Sequence, residues 1–371
     1  MTVNAAWNIW NFRRPLVEAL QADGHRVTVL APPDDAVKDL ERLGCRVQAL
    51  EMSVKGLNPL EDLKLQRRFA RIFHETRPDA VLSYTIKNNV FGARAAKSVG
   101  VPFLPNVTGL GTAFLSGKLL QTVTEQLYRR SFAGLPVVFF QNEDDRDLFL
   151  DRHLLTADQV RLLPGSGIDL DRFALTAMPD PDAPPIFLMI ARLLRDKGVV
   201  EFVEAARRVK ARHPKARFQL LGAVGSENRS AIDRATLEGW MAEGVVDYLG
   251  TTADVRPAIA AASCVVLPSY REGAPRTLIE AAAMARPLVT TDVPGCRAVV
   301  EDGVSGFLCA ARNADSLSDA MERFLALSPD ARRAMGAAGR AKMEREYDQA
   351  LVVDAYRKAL AQITRAEPGA H

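Results

Sequence analysis

Short apolar runs alternate with amphipathic helical segments along nearly the whole chain, and this alternation constrains the fold more than any other feature. Phe103 to Val107 and Val137 to Gln141 have the length and composition of buried strands, whereas Leu119 to Phe132, between them, has helical periodicity. Alternating strands and helices are typical of parallel sheets that carry helices on both faces. The sequence therefore predicts an α/β fold built from doubly wound parallel sheets.

The amino-terminal segment shows this pattern least clearly. We expect a strand from Thr2 to Ala6, a short helix from Pro15 to Gln21 and a strand from Val27 to Leu30. Thr2 to Ala6 is weakly apolar and nothing precedes it, so either this strand is short or the chain start is late. Further on, Asn58-Pro59-Leu60-Glu61 has the residues of a helix start, and it predicts a helix to about Thr76.

A Pro- and Asp-rich stretch, Met178 to Pro185, interrupts the alternation once, and the pattern then restarts. With 371 residues the chain exceeds the usual size of a single core. We therefore expect a Rossmann-like domain over 1–175, a linker over 176–185, a second Rossmann-like domain over 186–346 and a final helix over 347–371. Two such domains favour a ligand cleft at the carboxyl ends of their strands.

Composition excludes several classes of protein. A formal net charge of +3 is too small to indicate a nucleic-acid partner. No apolar run approaches the ~20 residues that span a bilayer, and no signal peptide is expected. The four cysteines lack metal-binding spacing and the five histidines form no cluster. These features predict a reduced, cytoplasmic protein without structural disulfides or zinc.

Two glutamates lie between the predicted strands Cys264 to Leu267 and Leu288 to Thr291. Glu272 lies in the turn, and Glu280 lies in the helix that follows, which we expect to begin with Pro275 at its first position. A helix amino terminus suits an anion, and two carboxylates beside it suit hydroxyl groups of a phosphorylated, sugar-like ligand. The spacing alone is equally compatible with a solvated helix residue and a loop charge.

Two cations follow the predicted strand Ile186 to Ala191. Arg192 and Lys197 lie where open α/β sheets place ligands, and together they suit a diphosphate. Read alone, they also fit an ion-pair cluster with Asp196 at a helix start.

The four charged residues together resemble a known signature. Arg192-x4-Lys197, followed about 75 residues later by Glu272-x7-Glu280, resembles that of the retaining family-4 (group 1) glycosyltransferases. PGSGIDLDRF and VPGCRAVVEDGVSGFL are also similar to segments of that family. The resemblance implies a GT-B fold, in which two Rossmann-like domains face a cleft. It implies an acceptor-binding first domain, a second domain that binds a nucleotide-sugar donor, and a final helix that crosses back to the first domain.

The resemblance also implies roles for single residues. Arg192 and Lys197 would bind the diphosphate of a UDP-sugar and stabilise the leaving group, Glu272 would hold hydroxyls of the donor sugar, and Glu280 would hold the ribose. Arg192, Lys197 and Glu272 are thus the expected catalytic residues. The turn and helix start would complete the donor site through Gly273, Ala274, Pro275, Thr277 and Leu278. No metal or other cofactor is expected, since the D-x-D motifs at Asp169 and Asp180 lie away from these positions.

A narrower resemblance lies in the first half of the chain. SYTIKNN, NVTGLGTAF and VFFQNEDDRDLFL look like the N,N'-diacetylbacillosaminyl-diphospho-undecaprenol N-acetylgalactosaminyltransferase subgroup. This implies transfer of a hexose or N-acetylhexosamine to a polyprenyl-diphosphate-linked sugar in bacterial glycan or polysaccharide assembly. Thr108 stands where many family members have a histidine, so no histidine base is expected. The expected acceptor contacts are Tyr84, Lys87, Thr108 and Gly109, although Tyr84 and Lys87 also fit plain loop packing.

An enzyme with a lipid-linked acceptor is expected to work at a membrane surface, and the helix after Asn58 has residues that suit such a surface. Its cations recur at i, i+3, i+4 and i+7, and such a stripe attracts anionic headgroups. The stripe consists of Lys64, Arg67, Arg68 and Arg71. A separate apolar face is formed by Leu60, Leu63, Phe69, Ile72 and Phe73. The stripe predicts peripheral association with the cytoplasmic face of the membrane, although a solvated helix face has the same pattern.

Two other functions are compatible with these residues. One is a UDP-sugar 2-epimerase with the same two-domain cleft, although the chain has no obvious His and carboxylate set for it. The other is a nucleotide-sugar-binding protein that has lost activity.

Overall fold

The computed structural model describes residues 1–53, 58–110, 118–225, 228 and 230–365. It divides into two compact units. The first comprises Met1–Gly167 together with Gln349–His371, and the second comprises Ile168–Asp348.

The first unit is built on parallel strands with helices between them. Its helices before the chain leaves the unit are α1 (Ala6–Phe12), α2 (Arg14–Ala22), α3 (Val37–Arg42), α4 (Pro59–Thr76), α5 (Ile86–Val99), α6 (Lys118–Phe132) and α7 (Glu143–Asp151). Its strands are β1 (Thr28–Ala31), β2 (Arg46–Ala49), β3 (Val81–Tyr84), β4 (Phe103–Val107), β5 (Val138–Phe140) and β6 (Val160–Leu162). β1 pairs with β2, and a second sheet has the order β3-β4-β5-β6.

The predicted first strand is wrong beyond its first residues. Thr2 bridges both Leu30 and Ser83, but helix α1 already begins at Ala6. The backbone N–H of Trp7, in the first turn, donates to the carboxylate of Asp34 at 2.9 Å. A carboxylate stabilises a helix start. Because this one comes from a distant part of the chain, the local pattern did not reveal it.

The second unit contains one six-stranded parallel sheet with the order β12-β11-β10-β7-β8-β9. Its strands are β7 (Ile186–Ile190), β8 (Arg217–Leu221), β9 (Asp247–Tyr248), β10 (Cys264–Leu267), β11 (Leu288–Thr291) and β12 (Gly306–Cys309). Its helices are α8 (Val199–Arg212), α9 (Arg234–Ala242), α10 (Arg256–Ala261), α11 (Arg276–Ala283), α12 (Cys296–Val299), α13 (Ala314–Leu325) and α14 (Pro329–Glu346). The order runs outward in both directions from β7 and β10, which is the arrangement of a doubly wound sheet.

The last helix, α15 (Gln349–Arg365), belongs to the first unit. Its Tyr356 is fully buried beside Tyr84 and Phe139, with ring centroids 6.4 Å and 4.7 Å away. The hydroxyl of Tyr356 accepts from the amide of Asn106 at 3.0 Å. Helix α15 therefore completes the core of the first unit.

The predicted domain boundary at 175 and the linker over 176–185 need correction. Phe173 lies in the core of the second unit, whose first residue is Ile168. Thr176 and Ala177 are held by the guanidinium of Arg286, which is fully buried and donates to their carbonyl oxygens at 3.1 Å and 2.6 Å. The segment thus packs on the second unit, because its backbone satisfies a buried cation.

Candidate active site

Three of the four charged residues of the signature follow the carboxyl ends of the central strands of the second unit. Arg192 follows β7, Lys197 ends a short 3-10 turn after it, and Glu272 lies in the turn after β10. Lys197 forms an ion pair with Glu272, and both side chains are largely buried. The structure therefore brings together two residues that are 75 positions apart in the sequence.

The alternative pairing of these cations with Asp196 is not observed among the described residues. The carboxylate of Asp196 accepts from the hydroxyl of Ser230 at 3.2 Å. Its backbone oxygen accepts from the hydroxyl of Ser269 at 3.2 Å and from the N–H of Tyr270 at 3.0 Å. Asp196 thus fastens the turn after β7 to the turn after β10, and Lys197 remains directed at Glu272.

Arg192 is exposed, in contrast to Lys197. Within the part of the chain that the structure describes, its guanidinium has no ion-pair partner. The Arg192 guanidinium and the Lys197 ammonium follow the same strand. The exposed guanidinium is suited to bind two oxygens of a phosphate group, since Arg offers a planar fork of donors.

Three glycines hold the loops of this site in contact. A Cβ at Gly222 would lie 1.9 Å from the oxygen of Ala191, and one at Gly198 would lie 2.0 Å from that of Pro268. A Cβ at Gly295 would lie 2.5 Å from the oxygen of Glu272 and 2.6 Å from that of Gly273. All three have positive φ, a conformation that suits glycine. Backbone therefore packs directly against backbone at three turns, which precede Arg192, follow Lys197 and contain Glu272.

Glu280 is only 8% exposed, so its interpretation as a solvated helix residue is wrong. It forms an ion pair with Arg276, one helical turn earlier, at 2.6 Å. Burial raises the pKa of Glu280, while the charges of Arg276 and Arg172 lower it and that of Asp254 raises it. Arg276 therefore favours the ionised carboxylate, the form that accepts hydrogen bonds from hydroxyl groups.

The start of α11 differs in detail from the prediction. Pro275 is the N-cap of the helix rather than its first residue, and Arg276 is first. The oxygen of Pro275 accepts from the N–H groups of Leu278 and Ile279 at 3.0 Å and 3.2 Å. The N–H of Leu278 is thus already engaged within the helix. Thr277 donates its hydroxyl to the oxygen of Ile190 at 3.0 Å, which anchors the helix start to the end of β7.

The expected acceptor residues lie at the carboxyl ends of strands in the first unit. Tyr84, however, is 0% exposed and packs in the core, so the prediction that its side chain contacts an acceptor is wrong. Lys87 forms a nearly buried ion pair with Asp62 of α4 at 2.9 Å. Thr108 and Gly109 follow β4 and are partly accessible. Gly111 to Phe114, the end of the motif that suggested them, lie outside the described residues.

The basic stripe of α4 is largely balanced by acidic side chains. Its ion pairs are Lys64–Glu61 at 2.7 Å, Arg68–Glu51 at 3.1 Å and Arg71–Glu75 at 3.9 Å. Arg67 has no ion-pair partner among the described residues. The predicted apolar face is also corrected, because Leu60 and Leu63 are 73% and 44% exposed while Phe69, Ile72 and Phe73 are buried.

Sequence reasoning missed three residues that the fold places beside the predicted ones. Asp62 forms an ion pair with Lys87, and its apolar sequence surroundings could have indicated it. Arg276 forms an ion pair with Glu280, and the helical spacing of the two residues could have indicated it. Arg13 packs its guanidinium over the Tyr84 ring, 4.6 Å from the centroid. No local pattern distinguished Arg13 from the neighbouring Arg14.

The D-x-D motifs form turns. Asp169 accepts from the N–H groups of Asp171 and Arg172 at 3.1 Å and 2.9 Å, and Asp180 accepts from that of Asp182 at 2.9 Å. Across the described ranges, no three His, Cys, Asp or Glu side chains lie close enough to hold a metal ion together.

None of the helices in the described part of the chain combines the length and apolarity needed to span a membrane.

Comparison with known proteins identifies the family. A model described as "Glycosyl transferase 4-like domain" matches residues 9–165, and one described as "Glycosyl transferases group 1" matches residues 184–326. The chain is 31% identical to the N,N'-diacetylbacillosaminyl-diphospho-undecaprenol alpha-1,3-N-acetylgalactosaminyltransferase of Campylobacter jejuni, with 96% of each chain covered. It is 24% identical to the UDP-Gal:alpha-D-GlcNAc-diphosphoundecaprenol alpha-1,3-galactosyltransferase of Escherichia coli, with 72% of each covered. The chain belongs to the group 1 glycosyltransferases, and it is an enzyme of that class.

Solved structures confirm the predicted GT-B fold. A glycosyltransferase from Rickettsia africae superposes with a TM-score of 0.76 at 19% identity, with 98% of this chain and 97% of that chain covered. HepE of Anabaena, solved in complex with UDP, gives a TM-score of 0.78 at 17% identity, with 97% and 99% covered.

Proposed function

We propose that the protein is a retaining glycosyltransferase that moves a hexose or N-acetylhexosamine from a UDP-sugar to a polyprenyl-diphosphate-linked sugar. The observation that carries the proposal is the Lys197–Glu272 ion pair with Arg192 at the carboxyl end of the same sheet. This combination offers cations to a diphosphate and a carboxylate to sugar hydroxyls. The names of the relatives from Campylobacter jejuni and Escherichia coli support a lipid-diphosphate acceptor.

In the proposed reaction the bond between the anomeric carbon and the UDP phosphate breaks while the acceptor hydroxyl bonds to that carbon. Arg192 and Lys197 stabilise the negative charge that develops on the leaving diphosphate. Glu272 orients the donor sugar through its hydroxyls, and Glu280 holds the ribose. The leaving phosphate takes the proton of the acceptor hydroxyl, since Thr108 supplies no base. The transfer uses no metal or other cofactor, because the two cations and the amino terminus of α11 provide the positive charge.

The acceptor side of the proposal rests on the first unit. Lys87 is held by Asp62 and offers a cation near the carboxyl end of β3, and Thr108 and Gly109 lie at the end of β4. Carboxyl ends of parallel strands are the usual ligand-binding edge of such sheets.

The decisive experiment measures UDP release from a panel of UDP-sugars, with and without a polyprenyl-diphosphate-linked sugar. Transfer that requires the acceptor supports the proposal. Free epimer would support the UDP-sugar 2-epimerase alternative, for which the relatives give no support. Loss of activity with EDTA that a divalent ion restores would contradict the metal-free reaction.

We also propose that the first unit binds the cytoplasmic membrane surface peripherally. Leu60 and Leu63 expose an apolar pair at the start of α4, beside Lys64 and Arg67. Exposed leucines next to cations suit the headgroup region of an anionic membrane. Since most cations of the stripe are paired, the apolar pair should carry more of the binding than the stripe. A Leu60→Ser/Leu63→Ser variant should therefore float less with anionic liposomes than Lys64→Glu, and equal flotation of the wild type and the leucine variant would refute this.

A further inference from the structure

The first unit contains a buried cation without a counter-ion in the described part of the chain. Arg13, between α1 and α2, is 5% exposed. One guanidinium nitrogen, Nη1, donates to the oxygen of the adjacent Phe12 at 3.1 Å, whereas Nε is buried without a hydrogen-bond partner among the described residues. No carboxylate of those residues forms an ion pair with it.

The described groups around Arg13 do not neutralise its charge. Its guanidinium lies over the Tyr84 ring, and Tyr356 packs beside that ring. Burial raises the pKa of both tyrosines, so their hydroxyls stay protonated and supply no negative charge. A cation–π contact is worth only about 0.5–2 kcal/mol, which is small beside the cost of burying an unpaired charge.

The buried arginine of the second unit shows what a structural role requires. Arg286 is also fully buried and has no carboxylate partner among the described residues, but its nitrogens donate to the backbone oxygens of five residues. These are Ile259, Thr176, Met284, Ala177 and Ala260. Across the same described ranges Arg13 has one such acceptor, from the residue next to it in the chain. The described residues thus satisfy Arg286, whereas they give Arg13 one backbone acceptor and leave its buried Nε without any.

Arg13 lies beside the carboxyl end of β3, the edge at which parallel sheets usually bind ligands. Tyr84, which it covers, is the last residue of β3, and α5 begins two residues later with Lys87 in its first turn. Thr85, between them, has φ 72° and ψ 150°, a conformation that is rare for any residue but glycine. Strain of this kind persists where a site requires it.

We propose that Arg13 binds a phosphate oxyanion, and that the anion is the diphosphate of the lipid-linked acceptor. The assignment to the acceptor rests on the proposed function, whereas the anion site itself does not. A diphosphate supplies the negative charge and the acceptor oxygens that the guanidinium lacks.

The test compares Arg13→Met, Arg13→Lys and wild type, using inorganic pyrophosphate, UDP and a short-chain polyprenyl-diphosphate sugar as probes. Arg13→Met should raise the KM for the lipid acceptor and the inhibition constant of pyrophosphate about tenfold to a hundredfold, as expected for lost hydrogen bonds to a charged group. Arg13→Lys keeps the positive charge without the planar fork of donors, so its acceptor KM and its pyrophosphate inhibition constant should lie between those of wild type and Arg13→Met. UDP affinity should not change.

Thermal stability separates binding from a structural role. Because Arg13→Met removes an unpaired buried charge, its melting midpoint should equal or exceed that of wild type, whereas Arg286→Met should melt earlier. Arg14→Met, at the adjacent half-buried residue that pairs with Glu18 at 3.1 Å, is the control and should leave the acceptor KM unchanged.

Three results would overturn the proposal. The first is an unchanged acceptor KM and unchanged pyrophosphate inhibition in Arg13→Met and Arg13→Lys. The second is a midpoint for Arg13→Met as low as that of Arg286→Met, which would show a structural role. The third is a loss of UDP affinity alone in the Arg13 variants, which would show that the anion bound by Arg13 belongs to the donor. Failure of the proposed function is a separate observation, because wild type would then show no acceptor-dependent transfer.

Discussion

Substitution of Gly295 by alanine tests whether backbone contact positions the catalytic turn. Gly295 has φ 79°, and a Cβ there would lie 2.5 Å from the oxygen of Glu272 and 2.6 Å from that of Gly273. Side-chain carbons are not found within 3.0 Å of such atoms, so the Glu272 turn must retreat by at least about 0.5 Å. Since a misplacement of about 1 Å costs roughly a hundredfold in rate, we expect a loss of at least about tenfold in kcat/KM for UDP release.

Gly303 provides the matched control for this substitution. Its φ is 77°, but a Cβ there would have no atom within 4 Å. Gly303→Ala therefore carries a similar backbone strain, on the order of 1–2 kcal/mol, without the clash. Both variants are assayed by coupled UDP release and by thermal melting. If Gly295→Ala kept activity within twofold of Gly303→Ala, the contact would not position Glu272 and the reasoning would fail.

Three further predictions concern charge and burial in the second unit. Arg276→Gln keeps hydrogen-bond donors but removes the positive charge that opposes the raised pKa of Glu280. As the pH is lowered, Glu280 should therefore be protonated, and UDP affinity should fall, at a higher pH in Arg276→Gln than in wild type. Calorimetric titrations at several pH values would show identical pH dependence in the two proteins if Arg276 had no such role. Arg286→Met should lower the free energy of unfolding by about 3 kcal/mol or more, because the backbone oxygens of five residues lose the hydrogen bond that the guanidinium donates to them. An unchanged melting midpoint would contradict this. Burial raises the pKa of Cys296 and of Cys309 to about 12, so a thiol reagent should label neither before the protein unfolds, and rapid labelling of native protein would show that they are accessible.

The sequence predicted best those elements whose patterns are local. The bounds of β4, β10 and β11 agree with the predictions, because each is a compact apolar run with clear flanking signals. Helix α3 and strand β2 were missed, since β2 is an edge strand whose side chains are exposed or half-buried and lack an apolar pattern.

The sequence predicted which residues form the candidate active site, but not how their side chains are arranged. The charged signature identified Arg192, Lys197, Glu272 and Glu280, yet the pairing of Lys197 with Glu272 depends on the packing of β7 beside β10. Likewise, Tyr84 is buried because α15 returns to cover it from the far end of the chain. Contacts between residues so far apart leave no local pattern. For the same reason, only the fold reveals that Arg13 is buried without a counter-ion among the described residues.

Acceptor-dependent sugar transfer by the wild-type enzyme and by Arg192→Met tests the central claim most directly. We predict that wild type releases UDP and forms a glycosylated lipid diphosphate only when both a UDP-sugar and a polyprenyl-diphosphate sugar are present. Arg192→Met should lose at least about tenfold in kcat without a change in melting midpoint, since an exposed cation then no longer stabilises the leaving diphosphate. UDP release that is independent of the acceptor, or full activity in Arg192→Met, would contradict the account.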